Sequence, residues 1–159
     1  MRAKYVATSE AVVALAAAGT AKTVFGVKGD AGIGVDLLEW WFSFDGVTGG
    51  EKPILIELVY ATWATNPPGT ASTSVTPQQV AGRAVAESFS AARNWTTEPT
   101  VLTEIEGFEY DPNKGMYRYK YSLGDEPDSA AAEGFAVRMT IPTGGAAVNT
   151  YVGSVVARV

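Results

Sequence analysis

Residues 37–63, LLEWWFSFDGVTGGEKPILIELVYATW, decide the fold because they contain two alternating apolar runs on either side of a glycine-rich segment. Successive side chains on a β-strand point to opposite faces, so each run forms one apolar row. The rows are Leu38, Trp40, Phe42 and Phe44 in the first run and Ile54, Ile56, Leu58 and Tyr60 in the second. The segment DGVTGGEK between them is typical of a hairpin loop. The pattern therefore predicts a long antiparallel hairpin that forms a wall of a β core.

The composition favours a single domain whose surface is partly covered by another protein. The chain has 159 residues, the usual size of one domain. Charged residues make up 18% of it, below the roughly 25% that is typical of globular proteins. The net charge of −5 argues against nucleic acid as a partner, because phosphate binding needs clustered Lys and Arg.

The chain contains no cysteine and no histidine. Their absence excludes cysteine–histidine and serine–histidine catalysis, zinc sites built on these residues, disulfide frameworks and haem held by imidazole. No other catalytic arrangement is evident in the sequence. We therefore expect a protein that is not an enzyme and that has no metal or cofactor.

Residues 1–10 are predicted to form an extended N-terminal arm, and residues 11–159 a single domain. A free terminus usually frays, so an ordered arm has to be held by a neighbour. Thr8, Ser9 and Glu10 interrupt the approach to the first apolar run, so we expect no secretory signal. No stretch reaches the roughly 20 apolar residues of a membrane-spanning helix.

Further alternating segments predict strands along the rest of the chain, the first of them a short strand within residues 11–18. The others are Thr23–Lys28, Thr100–Tyr110, Tyr117–Leu123, Phe135–Ile141 and Val148–Val156. Two connections have their own signals. DPNKG at 111–115 is typical of a hairpin loop, and Thr76, Pro77 and Gln79 match helix-start positions, which predicts a helix or irregular crossover over 76–92.

These elements predict an all-β fold, a single-domain jelly-roll-like β-sandwich of about eight antiparallel strands with at most one short helix. The spacing of the strands shows no alternation with helices, which excludes a parallel α/β sheet. An immunoglobulin-like sandwich is the alternative. The sequence lacks the cysteine and tryptophan framework that marks true immunoglobulin domains.

Acidic residues offer two hypothetical sites. Glycoside hydrolysis needs two carboxylates about 5–10 Å apart, and alternation places Glu104 and Glu106 on one strand face. The other acids near them are Glu98, Glu109 and Asp111. Calcium binding by residues 125–128, or by Asp111 with Asn113, does not match the spacing of the twelve-residue calcium loop. Solvated sheet and turn positions are the more common place for such acids, so we favour that interpretation.

Aromatic residues offer a third hypothetical site. Trp41, Trp63 and Trp95 are candidates for a platform that binds a sugar. Trp41 is predicted to point away from the core row, beside Glu39. Exposed aromatics of this kind more often mark protein interfaces, so we expect an interface at Trp41.

Several segments together resemble the small jelly-roll-like auxiliary or decoration proteins on the heads of tailed phages of actinobacteria and related hosts. The segments that carry the resemblance are TAKTVFGV (Thr20–Val27), FDG (Phe44–Gly46), NWTTEPTVL (Asn94–Leu102), YSLGDEP (Tyr121–Pro127) and GFAVRMTIP…VNTYV (Gly134–Val152). Their order spans most of the chain.

The resemblance implies a structural role with no catalytic residues to transfer. It implies a homotrimer that binds the major capsid protein on the outside of an icosahedral shell, at or near a local three-fold axis, and reinforces contacts between capsomers. It also implies a location in the phage head, and in the cytoplasm of the bacterial host during assembly.

Three groups of residues are predicted to form the interface, because exposed aromatics, free termini and long loops are common docking sites. They are Arg2, Lys4 and Tyr5 of the arm, Glu39 with Trp41, and Asn66, Pro67 and Pro68 of the NPPG loop. The alternative function is a carbohydrate- or receptor-binding module of a phage tail, which would use the same aromatics and loops. A glycosidase is a more distant alternative.

Overall fold

The computed structural model of the chain describes residues 2–45, 52–83 and 89–158, which form strands in two sheets. The strands are β1 (Lys4–Thr8), β2 (Val13–Ala14), β3 (Ala21–Gly29), β4 (Val35–Asp45), β5 (Ile54–Ala61), β6 (Thr73–Val75), β7 (Gln78–Ala81), β8 (Phe89–Arg93), β9 (Leu102–Tyr110), β10 (Tyr117–Lys120), β11 (Gly134–Thr140) and β12 (Asn149–Arg158). One 3₁₀ turn, Pro112–Lys114, is the only helical element in these ranges.

The two sheets form a sandwich with the strand order of a jelly roll. The first sheet has the order β10-β4-β12-β1-β7, with β2 beside β12, and the second has the order β6-β8-β3-β11-β5-β9. Without β2 and the strands from residues 73–93, the orders are β1-β12-β4-β10 and β3-β11-β5-β9, with early and late strands of the chain side by side as in a jelly roll. The predicted all-β sandwich is therefore confirmed.

The core between the sheets is built from the predicted apolar rows. Trp40 and Phe42 of β4 are 1% exposed or less, as are Ile56 and Leu58 of β5. Aromatic rings join the sheets at the β9 and β10 side: Phe108 of β9 lies within 6.3 Å of the Trp40 and Phe42 rings. Burial of such side chains supplies the main stabilisation of the sandwich.

The predicted hairpin over residues 37–63 is wrong. β4 pairs with β10 and β12 in the first sheet, whereas β5 pairs with β9 and β11 in the second. The chain thus crosses from one sheet to the other between Asp45 and Ile54. Alternation fixes which side chains face the core, and it does so equally for two strands that pair and for two strands that pack face to face.

The predicted hairpin at 111–115 is wrong for the same reason. β9 is the last strand of the second sheet and β10 the last strand of the first. Asp111 accepts a hydrogen bond from the Asn113 backbone N–H (2.9 Å), which caps the 3₁₀ turn that carries the chain between the sheets. This bond and a second one from the Asn113 side chain lower the pKa of Asp111.

Residues 4–8 form an interior strand and not an arm outside the domain. β1 pairs with β12 on one side and with β7 on the other. Tyr5 is 2% exposed, and its ring meets that of Phe89 edge to face at 5.0 Å. The alternation of Ala3, Tyr5 and Ala7 explains this, because it supplies an inward row that the sandwich buries.

Of the predicted helix or irregular crossover over residues 76–92, the helix is wrong in the described part of that segment, which contains β7 of the first sheet and β8 of the second; residues 84–88 lie outside it. Gln79, in the predicted capping position, instead donates its side-chain amide to the carbonyl oxygens of Ala81 and Arg83. Gly82 follows with a φ of 95°, which ends the strand. The short strand predicted within residues 11–18 is confirmed as β2.

Candidate interaction surface

The outer face of the first sheet holds a half-exposed aromatic patch formed by Glu39, Trp41 and Arg118, called here the Trp41 patch. Trp41 points outward from β4, and its ring covers Gly153 of β12 so closely that a Cβ atom there would collide with it. The Arg118 guanidinium lies 4.9 Å from the ring centroid, and its Nε donates to Glu39. An exposed cation–π contact contributes about 0.5–1 kcal/mol. The patch therefore presents an aromatic ring and a charged pair together at the surface.

A groove of about 370 Å³ lies beside this patch, near the start of β4 and the end of β10. Its lining combines three cations, one carboxylate and apolar side chains: Arg2, Lys4, Lys120, Glu126, Leu38, Tyr121 and Leu123. Arg2 donates to Glu126 (2.9 Å) and pairs with Asp36. Burial raises the pKa of Asp36, and the Arg2 charge opposes that rise. Arg2 thus ties the first strand to the rim of the groove.

A β-bulge at Leu38 shapes the groove. Glu39 pairs with Val155 and Leu37 with Val156, so Leu38 is the extra residue on β4. Its carbonyl accepts a hydrogen bond from the Tyr121 backbone N–H at 3.0 Å. The predicted core row is therefore wrong at this end of the strand, where Leu37 takes the core position and Leu38 lines the groove.

The edge strand of the first sheet carries exposed apolar side chains, called here the β10 edge. Met116, Tyr119 and Leu123 lie in or beside β10 and are 56%, 45% and 90% exposed. The Tyr119 ring meets that of Tyr121 at 4.8 Å. Open strand edges lined with apolar residues are common places for another chain to dock. The β10 edge, the Trp41 patch and the groove form one continuous side of the molecule.

The structure brings only part of the predicted interface together. Arg2, Lys4, Glu39 and Trp41 lie along the first sheet. Tyr5 is wrong as an interface residue, because it is buried in the core. The NPPG loop residues Asn66, Pro67 and Pro68 are half-buried and belong to a loop over the second sheet.

Sequence reasoning missed Met116, Tyr119 and Leu123 as exposed apolar residues of the candidate surface. Tyr119 and Leu123 continue the row that begins with Tyr117, and this row alone predicts a core face. What exposes them is the position of β10 at the edge of its sheet, where one side of the strand has no neighbouring strand among the described residues. The position of β10 in the strand order, and not the alternation of the sequence, therefore explains why these side chains are exposed.

The hypothetical sugar platform is wrong for Trp63 and Trp95, called here the closed tryptophan pair. These side chains are 5% and 1% exposed, and their rings stack at 5.5 Å with an interplanar angle of 19°. The indole N–H of Trp63 donates to the Val27 carbonyl (3.2 Å) and that of Trp95 to the Asn66 carbonyl (2.8 Å). The pair is a second small core on the outer face of the second sheet.

The carboxylates of β9 do not form a pair for hydrolysis. Leu58 pairs with Glu106 and Val59 with Glu104, so a bulge at Ile105 puts the two acids on opposite faces. Glu106 points between the sheets and accepts a hydrogen bond from the Tyr121 hydroxyl. Burial, together with this bond, raises the pKa of Tyr121. The expectation that Glu104 and Glu106 share a face is therefore wrong.

The other candidate acids also hold structural contacts. Glu98 accepts from the Thr23 backbone N–H (2.8 Å) and from its hydroxyl (2.5 Å), and Glu126 accepts from Arg2. In residues 2–45, 52–83 and 89–158 no cluster of three or more His, Cys, Asp or Glu residues has a geometry that could hold a metal ion. The same ranges contain no helix of the length and apolarity that a membrane span requires.

Comparisons of the chain with protein-family models, with curated proteins and with solved structures found no match.

Proposed function

We propose that this protein is a non-enzymatic structural component of a phage particle, which self-associates as a homotrimer and binds the major capsid protein on the outside of the head. Bound there, it adds buried area that exists only in the assembled shell. A ligand that binds only one state stabilises that state by mass action, so the protein would reinforce the shell against outward pressure.

The observation that carries the proposal is the strand order β1-β12-β4-β10 and β3-β11-β5-β9, combined with the resemblance to head decoration proteins. Jelly rolls of this order recur in viral capsid domains and in lectins. The continuous side formed by the Trp41 patch, the groove and the β10 edge supports a role in binding proteins. Aromatic residues and arginine are enriched in such interfaces.

The alternative, a carbohydrate- or receptor-binding module of a phage tail, is compatible with the same strand order and has one further observation in its favour. The groove has a volume of about 370 Å³, within the usual range of ligand pockets. Against it, Trp63 and Trp95 are buried and offer no face on which a sugar ring could stack.

One pair of assays separates the two functions. The purified protein is mixed with purified phage heads and pelleted, and it is also applied to a glycan array. The proposal predicts saturable co-sedimentation with heads and no specific glycan signal. Specific glycan binding without co-sedimentation would contradict it and favour the tail module.

A matched pair of variants tests whether the side formed by the Trp41 patch, the groove and the β10 edge contacts the phage head. Trp41→Ala removes the exposed aromatic, and we expect weaker co-sedimentation while the thermal unfolding transition stays close to that of the unaltered protein. Thr97→Ala, an exposed position beside the closed tryptophan pair, serves as the control and should bind heads normally. Equal loss of binding in both variants would place the contact elsewhere.

A further inference from the structure

We infer that copies of this chain associate through their open strand edges, with the acidic β9 of one copy lying antiparallel beside the basic β10 of the next. The copies are related by rotation about an axis parallel to the strands. This inference rests on the self-association in the proposed function and goes further, because it names the surface that a second copy of the chain occupies.

The two edge strands carry opposite charge. β9 contains Glu104, Glu106 and Glu109 and no Lys or Arg, whereas β10 contains Arg118 and Lys120 and no Asp or Glu. Each is the last strand of its sheet in the part of the chain that the structure describes. Their backbone N–H and C=O groups on that side are therefore open to a further strand.

Both edges lie on the same side of the sandwich and run in opposite directions. The Phe108 and Tyr117 rings are 5.0 Å apart, and the Tyr110 and Tyr117 rings 5.9 Å apart, across the gap between the sheets. Just beyond the end of β10, the Tyr121 hydroxyl donates a hydrogen bond to Glu106 of β9. Residue numbers therefore rise along β10 in the direction in which they fall along β9, so the two strands are antiparallel.

This geometry decides how copies fit. A rotation about an axis parallel to the strands keeps every strand direction, so it brings β9 of one copy antiparallel to β10 of the next and sets acidic against basic side chains. A two-fold axis perpendicular to the strands instead sets β10 against β10 and β9 against β9. Like charges that face each other are unfavourable and are one way in which proteins prevent edge pairing, so the first arrangement is favoured.

The same rotation leaves the position of each residue along the strand axis unchanged. Side chains at the same level on β9 and β10 of one copy therefore meet between neighbouring copies. Lys120 points to the outer face next to Tyr121, whose hydroxyl marks the height of Glu106. Glu104, which the bulge at Ile105 turns to the outer face, lies close to that height. Lys120 of one copy therefore meets Glu104 of the next, and the contact also covers the exposed Tyr119 ring.

The test exchanges the two charges. Sedimentation velocity over a wide concentration range measures the association of the full chain and of Lys120→Glu, Glu104→Lys and the combined variant. We expect each single variant to raise the dissociation constant about tenfold, because it places like charges together at every contact. The combined variant should return to the original value, since it restores opposite charges.

Two further variants keep the result clear. Lys28→Glu makes the same change of charge on a strand inside the second sheet and should associate normally. The pKa of Arg138 is raised by Glu57 above all, and also by the charges of Glu98 and Glu104. Glu104 therefore lies near the Arg138 guanidinium, and Glu104→Lys puts two cations close together. Glu109→Lys, on the exposed part of β9, replaces it if Glu104→Lys unfolds and should weaken association in the same way.

Single variants that associate as strongly as the unaltered chain would overturn the inference, as would a chain that stays monomeric throughout. These outcomes are distinct from failure of the proposed function. Head binding with unaltered association in the charge variants rejects the edge contact alone. Rescue by the combined variant without any head binding rejects the proposed function alone.

Discussion

Two regions of the molecule place tryptophan rings directly over a glycine of a β-strand, and they differ in what covers the rings. In the Trp41 patch, one ring covers Gly153 on the first sheet and stays half-exposed beside Arg118. In the closed tryptophan pair, Trp63 and Trp95 lie over Gly26 on the second sheet and are almost fully buried.

The difference comes from the loops around each region. The closed tryptophan pair is covered by the segments that follow β5 and β8. Hydrogen bonds hold these segments in place: the Trp95 backbone N–H donates to the Thr23 carbonyl (3.1 Å), and the Asn66 side-chain amide donates to the Glu98 carbonyl (3.1 Å). Over the Trp41 ring lies the exposed side chain of Arg118. The same packing of a tryptophan ring on a glycine therefore adds to a buried core on the second sheet and leaves a half-exposed aromatic surface on the first.

Trp95→Ala has the largest expected effect on folding. Removing a buried tryptophan leaves a cavity that its neighbours fill only in part, and such changes cost about 3–5 kcal/mol. Chemical denaturation should show this loss in the free energy of unfolding. A loss as small as that of an exposed residue would mean that the closed tryptophan pair is not a core.

Gly26→Ala tests how tightly the closed pair is held. A Cβ atom at this position would lie 2.6 Å from the Trp63 ring and 3.0 Å from the Trp95 ring. Overpacking of a buried site costs about 1–3 kcal/mol, which denaturant titration measures. Gly153→Ala is the matched control: the half-exposed Trp41 ring can move away, so we expect a smaller loss together with a change in tryptophan fluorescence.

Trp41→Ala should change binding more than stability. The variant loses the packing of the ring on Gly153 as well as the cation–π contact with Arg118, and the latter is worth about 0.5–1 kcal/mol at an exposed site. Thermal unfolding measures that small shift, and co-sedimentation with heads measures the loss of binding. An unfolded variant would show that Trp41 belongs to the core and would remove the contrast between the two regions.

Arg118→Gln has the smallest expected effect on folding. The pair with Glu39 is exposed on the arginine side, and exposed ion pairs contribute about 0–1 kcal/mol. Raising the salt concentration should remove even this difference, because salt screens exposed charges. The half-buried pair of Arg138 with Glu57 is the comparison: it makes two hydrogen bonds, at 2.7 Å and 3.2 Å, and its loss should cost more at every salt concentration.

Strand positions and core faces were largely predictable from the sequence, but strand partners were not. The alternation in residues 37–63 and 117–123 identified the inward residues Trp40, Phe42 and Tyr117. It did not distinguish strands that pair from strands that face each other across the sandwich. Connections of several residues suit both arrangements, which is why both predicted hairpins turned out to be crossings between the sheets.

The candidate surface depended on features that alternation does not encode. The bulges at Leu38 and Ile105 reverse which side chains face outward from that point on. They put Leu38 in the groove and separate Glu104 from Glu106. The helix-start residues Thr76, Pro77 and Gln79 were misleading because capping signals are local, and the pairing of β7 with β1 overrides them.

Hydrogen exchange of the backbone amides tests most directly whether copies of the chain meet at the edge strands β9 and β10. Exchange is compared between a dilute sample and a sample concentrated enough to associate. We predict slower exchange along Leu102–Tyr110 and Met116–Leu123 in the concentrated sample, and no change at residues 94–100. Slower exchange confined to residues 94–100, with both strand edges unaffected, would contradict the account.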